Sequence, residues 1–216
     1  MFGNAFNPQN GFWQWLARAC DIVGLSLCWI VCSLPVVTVG AATTALYDSV
    51  YHGVRRGEPG DYARFFRTFK ESFKPATLLT VPALLAAAAF CAVWYVVYVI
   101  AYNGNEMALV LLYAYRILVC VPLAVWLFAM FTLSRFTFSA GSLLVTAAKL
   151  AIGHLPTAVV VALLVEELAL YSLRHLFLPV LFTPGIAALL CSLFMERIFA
   201  PYLPEAEEPK TGAEAE

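Results

Sequence analysis

The feature that most constrains this chain is a set of five long uncharged stretches, which no soluble fold of this size could cover. An α-helix rises about 1.5 Å per residue and a bilayer core is about 30 Å thick, so each stretch could cross a membrane. Of the 216 residues, 62% are apolar and 12% are charged, against about 45–50% and about 25% in ordinary soluble domains. We therefore expect an all-α, polytopic transmembrane helix bundle. Its predicted spans are residues 22–47, 76–102, 108–134, 149–167 and 176–195.

The distribution of lysine and arginine predicts the orientation of these spans, because short cytoplasmic loops are enriched in both residues. Ten of the 13 lie between spans one and two, between spans three and four, or in the tail, and three lie on the other side. This predicts a plasma-membrane protein with its N-terminus outside and its C-terminus in the cytoplasm. Residues 201–216 are rich in Pro and Glu and predict a disordered acidic tail.

The first predicted span is longer than a bilayer core and contains a proline. Proline frees the carbonyl four residues before it, so a kink is expected here. Small residues then recur four positions apart, which lets the backbone of another helix approach closely. The predicted packing contact consists of Pro35, Gly40, Ala41, Thr44 and Ala45. Every predicted span contains a proline, and both ordinary kinks and breaks that line a binding site are compatible with this pattern.

The same stretch resembles the opening of a known family of membrane proteins. LPVVTVGA at residues 34–41 and TALY at residues 44–47 match the pattern of the YesL-like family of bacterial integral membrane proteins, the domain of unknown function 624. FFRTFKESFKPAT at residues 65–77 is similar to a second family element, with Pro75 where the family often has Gln. The resemblance implies a multi-span bacterial protein that accompanies carbohydrate uptake by ABC transporters. It supplies no catalytic residues.

The segment between the first two spans is predicted to be an amphipathic helix over residues 61–74. At about 100° per residue, its aromatic side chains fall on one face and its cations on the other. Such a helix can lie in the inner membrane interface, or it can dock on a partner protein, and the sequence allows both. The residues predicted to make this contact are Arg64, Phe65, Phe66, Arg67, Phe69, Lys70, Phe73 and Lys74.

At the opposite boundary of the membrane, Arg116 is predicted to pair with Glu166 or Glu167. The predicted helices place these charges at similar depth, and an unpaired ion there is unfavourable. Because adjacent helical residues point about 100° apart, the two glutamates do not form an acid/base pair.

The sequence contains no signature of catalysis or of metal binding. It has no CxxC pair, no metal-ligand spacing and no nucleotide-binding or hydrolase motif. The formal net charge of −1 provides no basic field for nucleic acid. We therefore expect no enzymatic activity, no metal, no cofactor and no nucleic-acid partner.

These observations favour a non-enzymatic integral membrane protein with an accessory or regulatory role. Its expected partners are the lipid bilayer and, through the resemblance, the permease subunits of a sugar ABC transporter. The alternative is a small autonomous transporter or channel. That alternative needs polar groups that converge inside the membrane, and the predicted spans offer only His154 and some threonines.

Overall fold

The computed structural model describes residues 11–102, 106–136, 140–175 and 179–202. In these ranges the chain forms seven α-helices and no strand, which confirms the predicted all-α class. The helices are α1 (Gly11–Cys32), α2 (Val39–Ser49), α3 (Asp61–Tyr102), α4 (Glu106–Leu133), α5 (Ala140–Gly153), α6 (Leu155–Arg174) and α7 (Pro179–Phe199). By length and composition, α3, α4, α6 and α7 could each cross a membrane. The chain is thus a multi-pass membrane protein.

The two ends of the bundle are named here by the arginine that each contains. At the Arg135 end, α2, α4 and α7 finish and α3 begins. At the Arg116 end, the pairing of Arg116 with Glu166 joins α4 to α6. The two arginines lie 19 residues apart along α4 and just beyond it, which corresponds to about 28 Å of helix. The bundle between them is therefore about one bilayer core thick.

The first predicted span, residues 22–47, is not one kinked helix but a helical hairpin. Helix α1 ends at Cys32, a turn contains Pro35, and α2 then runs back beside α1. The indole of Trp29 on α1 donates a hydrogen bond to the hydroxyl of Thr43 on α2 (3.2 Å). The sequence predicts a kink at this proline, within a continuous span. Here it lies in a turn whose carbonyls at Cys32 and Pro35 both accept a hydrogen bond from Thr38.

Both legs of the hairpin point toward the Arg135 end. Gly24 on α1 lies against the hydroxyl of Tyr62, and Gly53 after α2 lies against the Asp61 carboxylate. Tyr62 and Asp61 form the first turn of α3. The end of α1 that carries Gly24 therefore lies beside the start of α3, which differs from the expected crossing of residues 22–47 from one side of the membrane to the other.

The tip of the hairpin reaches about halfway through the bundle. Val39 at the tip and Trp126 of α4 line the same cavity, and Trp126 lies about midway between Arg116 and Arg135 in the sequence. The tip exposes apolar side chains, with Leu34 75% exposed. Such a turn can lie among lipid acyl chains. Its outer surface is apolar, and Thr38 satisfies the backbone carbonyls of Cys32 and Pro35.

Helix α3 joins two predicted elements into one. The predicted amphipathic helix 61–74 and the predicted span 76–102 form a single helix of 42 residues, in which Pro75 and Pro82 are both internal. Its length of about 63 Å is roughly twice a bilayer core. Its first part is therefore continuous with the span and lines a cavity with Arg135, instead of forming a separate interfacial helix.

The remaining predicted spans differ from the structure mainly at their ends. Span 108–134 corresponds to α4, and span 176–195 corresponds to α7, which begins at Pro179. Span 149–167 is divided at His154 into the end of α5 and the larger part of α6. Pro156 explains the division, since its ring is compatible with the first turn of a helix and not with a helix interior. The predicted tail at 201–216 begins in a 3-10 turn at Ala200–Tyr202, and residues 203–216 lie outside the described residues.

Candidate functional site at the Arg135 end

A buried ion pair forms the centre of the Arg135 end. The guanidinium of Arg135 donates hydrogen bonds from Nε (3.1 Å) and Nη2 (2.7 Å) to one carboxylate oxygen of Glu196. Both side chains are about nine-tenths buried. The hydroxyl of Tyr47 donates to the same oxygen (2.9 Å). The contact joins α2, α7 and the chain just after α4, so it fixes three elements relative to one another.

His52 extends this network toward the surface. Its Nε2 lies 2.8 Å from Nη1 of Arg135, and its Nδ1 lies 2.9 Å from Glu58. Arginine can only donate, which assigns the acceptor role to Nε2 and places the proton on Nδ1, facing Glu58. The hydrogen bond from His52 lowers the pKa of Glu58 below its ordinary value, and nearby Arg64 and Arg56 act in the same direction.

A π-helical segment places His52 and Tyr51 beside the arginine. Residues Val50–Arg55 continue α2 with a wider helical turn, a geometry found frequently at functional sites. The ring of Tyr51 lies under the guanidinium of Arg135, with 3.7 Å between its centroid and Cζ. This cation–π contact holds the planar guanidinium in one orientation. Asp48, one turn before His52, accepts a hydrogen bond from Thr68 of α3 (2.8 Å).

A polar cavity of about 560 Å³ adjoins this network. It opens between α2, the first part of α3 and the chain after α4. The residues that line it are Asp48, His52, Arg64, Arg67, Thr68, Glu71, Ser72, Pro75, Leu133, Ser134, Arg135 and Phe136. The lining contains three arginines, three hydroxyl groups and two carboxylates, so the cavity is polar with charges of both signs. No cluster of three metal-ligating side chains occurs in the ranges that the structure describes.

The contact residues predicted on α3 divide into buried and exposed groups. Phe65 is fully buried in the core beside α2, and Phe69 packs against both core clusters. Arg64 is held by Glu58 at 2.6 Å. These three side chains serve the fold, contrary to the expectation that the whole aromatic face is free for a partner or for lipid. The buried position of Phe65 follows from the close packing of α2 on α3, which the helical pattern alone does not indicate.

The other predicted side chains form a continuous surface, which we call the exposed α3 face. Its predicted members are Phe66, Arg67, Lys70, Phe73 and Lys74, and the structure adds Tyr62; all six are exposed. They cover about 140° of the helix circumference. The aromatic residues form one edge of this face and the cations form the other. Both edges lie on the first part of α3, at the Arg135 end.

Four of the five predicted packing residues lie on α2, where it packs against its neighbouring helices. Gly40 faces the hydroxyl of Thr80 and the sulfur of Met130, and its lack of a side chain permits this approach. Ala41 and Ala45 are fully buried. Thr44 donates to the carbonyl of Gly40 (3.0 Å) and lies 3.2 Å from that of Met130. Pro35, the fifth predicted member, lies in the exposed hairpin turn.

At the Arg116 end, the structure brings together the three charges that were predicted to meet. Nε of Arg116 donates to Glu166 (2.9 Å), and Nη2 donates to Glu167. These side chains are more exposed than those of the Arg135 network, with Glu167 63% exposed. The pair closes the contact between α4 and α6.

Sequence reasoning did not identify the network around Arg135. Arg135 had been counted only as a positive charge in a loop, and Glu196 was placed just beyond the last predicted span. Tyr47 is the last residue of the uncharged run, and Asp48 and His52 follow it within five residues. A histidine and an acid one turn apart, next to an apolar run, were a usable signal that these side chains share a polar environment.

Four potential membrane-crossing helices with a buried polar network at one end define a polytopic helical membrane protein. Within the chain, residues 22–99 match the family model described as "Protein of unknown function, DUF624". The match includes the second half of α1, all of α2 and nearly all of α3. It supports the resemblance to the domain of unknown function 624 over this part of the chain. Neither the curated proteins nor the solved structures give a match.

Proposed function

We propose that this protein is a non-enzymatic accessory or regulatory component that acts by contact with another membrane complex, the permease subunits of a carbohydrate ABC transporter. The observation that carries the proposal is the exposed α3 face at the Arg135 end of the bundle. Rings on an exposed helical face, such as those of Phe66 (47% exposed) and Phe73 (39% exposed), are typical anchors for a partner's groove.

The internal polar groups favour a structural role over transport. Arg135 is neutralised by Glu196, and Arg116 is neutralised by two glutamates. Both sites lie at the ends of the bundle, about 28 Å apart along the helix. Between them, the described side chains supply no ionisable pair, although an autonomous pump needs such groups along its pathway.

The identity of the partner and the setting rest on the resemblance and on the charge distribution. The YesL-like pattern at residues 34–47 supports a bacterial plasma-membrane protein linked to sugar uptake. The excess of lysine and arginine at the Arg135 end supports a cytoplasmic location for that end. The exposed α3 face would then meet the cytoplasmic surface of the permease.

Affinity purification from native membranes tests this proposal. The wild-type protein should bring down permease subunits of a sugar ABC transporter. Replacing both Phe66 and Phe73 with leucine should reduce that recovery at least several-fold, since leucine keeps the apolar character but not the ring shape. Leu78→Ala, at a 65% exposed position of the same helix, serves as the control. Absence of permease from the wild-type preparation, together with unaltered sugar uptake after deletion of the gene, would overturn the proposal.

One observation favours the alternative of a small autonomous transporter. An apolar cavity of about 460 Å³ lies at mid-depth beside Trp29, Thr43 and Trp126, on the membrane side of the polar network. The indole nitrogen of Trp126 has no hydrogen-bond partner among the described residues. Uptake of a sugar into liposomes that contain only the purified protein would establish transport and displace the accessory role.

A further inference from the structure

The cationic edge of the exposed α3 face has one acidic neighbour on its own helix, the exposed Glu71. Arg67, Lys70 and Lys74 are exposed, and no ion pair within the described ranges involves any of them. Arg64 one turn earlier, in contrast, is paired with Glu58 at 2.6 Å. The three unpaired cations lie within about 60° of one another around the helix, so a single acidic segment could contact all of them.

The chain leaves the bundle close to this edge. Helix α7 ends at Phe199, whose ring packs edge-on against that of Phe136, with 6.1 Å between centroids. Phe136 lines the polar cavity together with Arg67. Phe199, the last residue of α7, therefore contacts a side chain that lines the same cavity as Arg67 of the cationic edge.

The sequence that follows is acidic and within reach. Residues 203–216 contain five glutamates and one lysine, and Glu205, Glu207 and Glu208 come first. They follow Phe199 by six to nine residues, a distance of at most about 20–30 Å in extended chain. Because the segment is tethered, its effective concentration at the cationic edge is on the order of millimolar, which makes even weak ion pairs effective.

We propose that residues 205–208 dock on the cationic edge formed by Arg67, Lys70 and Lys74 and shield the exposed α3 face from other partners. The contact itself is independent of the proposed function, whereas its regulatory consequence rests on that function. A partner must displace the acidic segment before it engages the face. Removal of the segment should therefore strengthen the interaction with a permease.

Zero-length cross-linking of the full chain in uncharged detergent tests the contact. A carbodiimide joins a carboxylate to an amine only when they are in direct contact. Peptide mapping should show intramolecular links from Lys70 or Lys74 to residues 205–208. The links should disappear at high salt and in the variant Glu205→Gln/Glu207→Gln/Glu208→Gln. They should persist in the matched control Glu214→Gln/Glu216→Gln.

Three results would overturn the proposed contact. One is the absence of links to Lys70 and Lys74, including the case in which only Lys149, which also lies near Phe199, is linked. Another is equal linking in the triple variant. The third is loss of the links in bilayers that contain anionic lipid but not in neutral bilayers, which would make lipid headgroups the resident occupant. Failure of permease recovery with intact cross-links would overturn the proposed function alone.

Discussion

Replacing Glu196 with glutamine removes the negative charge from the buried ion pair and keeps the size of the side chain. Arg135, which is about nine-tenths buried, then has lost the carboxylate that neutralises it. The matched change, Arg135→Met, removes the positive charge and leaves the glutamate buried. Combining the two changes removes both charges at once. The relative stability of these three variants reports how strongly the pair couples α7 to the rest of the Arg135 end.

The expected losses follow from the burial of the pair and from its contacts. Removing one partner of a buried ion pair costs about 3–5 kcal/mol, because the other charge stays buried without compensation. Arg135→Met should lose about 1 kcal/mol more, since it also abolishes the cation–π contact with Tyr51. The double variant leaves no uncompensated charge and should lose only about 1–2 kcal/mol in total. It should thus be more stable than either single variant.

Equilibrium unfolding in mixed micelles with an increasing fraction of sodium dodecyl sulfate measures these free energies. Tryptophan fluorescence is a suitable signal, because Trp29 and Trp126 lie in the bundle. The coupling energy is the difference between the double-variant loss and the sum of the single losses. Additive losses would refute the buried pairing, because two independent side chains would then have been removed.

Three further predictions concern other parts of the bundle. Gly40→Leu should destabilise the protein by about 1–3 kcal/mol through overpacking. Gly141→Leu should not, because a side chain added there meets open space. Equal melting temperatures of the two variants would contradict the packing of α2. Cysteines introduced at Arg18 and Gly57 should react with an impermeant thiol reagent from the same side of the membrane; labelling from opposite sides would exclude the hairpin. Arg116→Leu should lower the free energy of unfolding by only about 1 kcal/mol, because that ion pair is more exposed. In the same unfolding assay, a loss as large as that of Arg135→Met would contradict this ranking.

The helical class and the membrane setting could be predicted because they depend on composition and on the lengths of uncharged runs. A bilayer accepts only segments that satisfy their own backbone hydrogen bonds, so such runs must be helical. The pairing of Arg116 with its glutamates was predicted for a similar reason, since equal depth and opposite charge leave few alternatives. The structure places these charges in contact.

The hairpin and the Arg135 network could not be read from the run lengths. A 26-residue uncharged stretch is compatible with one tilted helix or with two short antiparallel legs. The choice depends on Pro35 and on the packing of α2 against α3, which is a tertiary effect. The network joins residues up to 149 positions apart, a separation over which no local pattern extends. Conversely, Pro75 suggested a helix boundary, yet α3 continues through it, as membrane helices with neighbouring support can.

Site-specific photocross-linking in living cells tests the central claim, contact through the exposed α3 face, most directly. A photoreactive benzoylphenylalanine at position 66 should form an adduct with a permease subunit of a sugar ABC transporter. The same probe in place of Tyr98, which is 50% exposed and lies about 48 Å further along α3, should form none. Absence of a permease adduct at position 66, or equal adducts at both positions, would contradict the account.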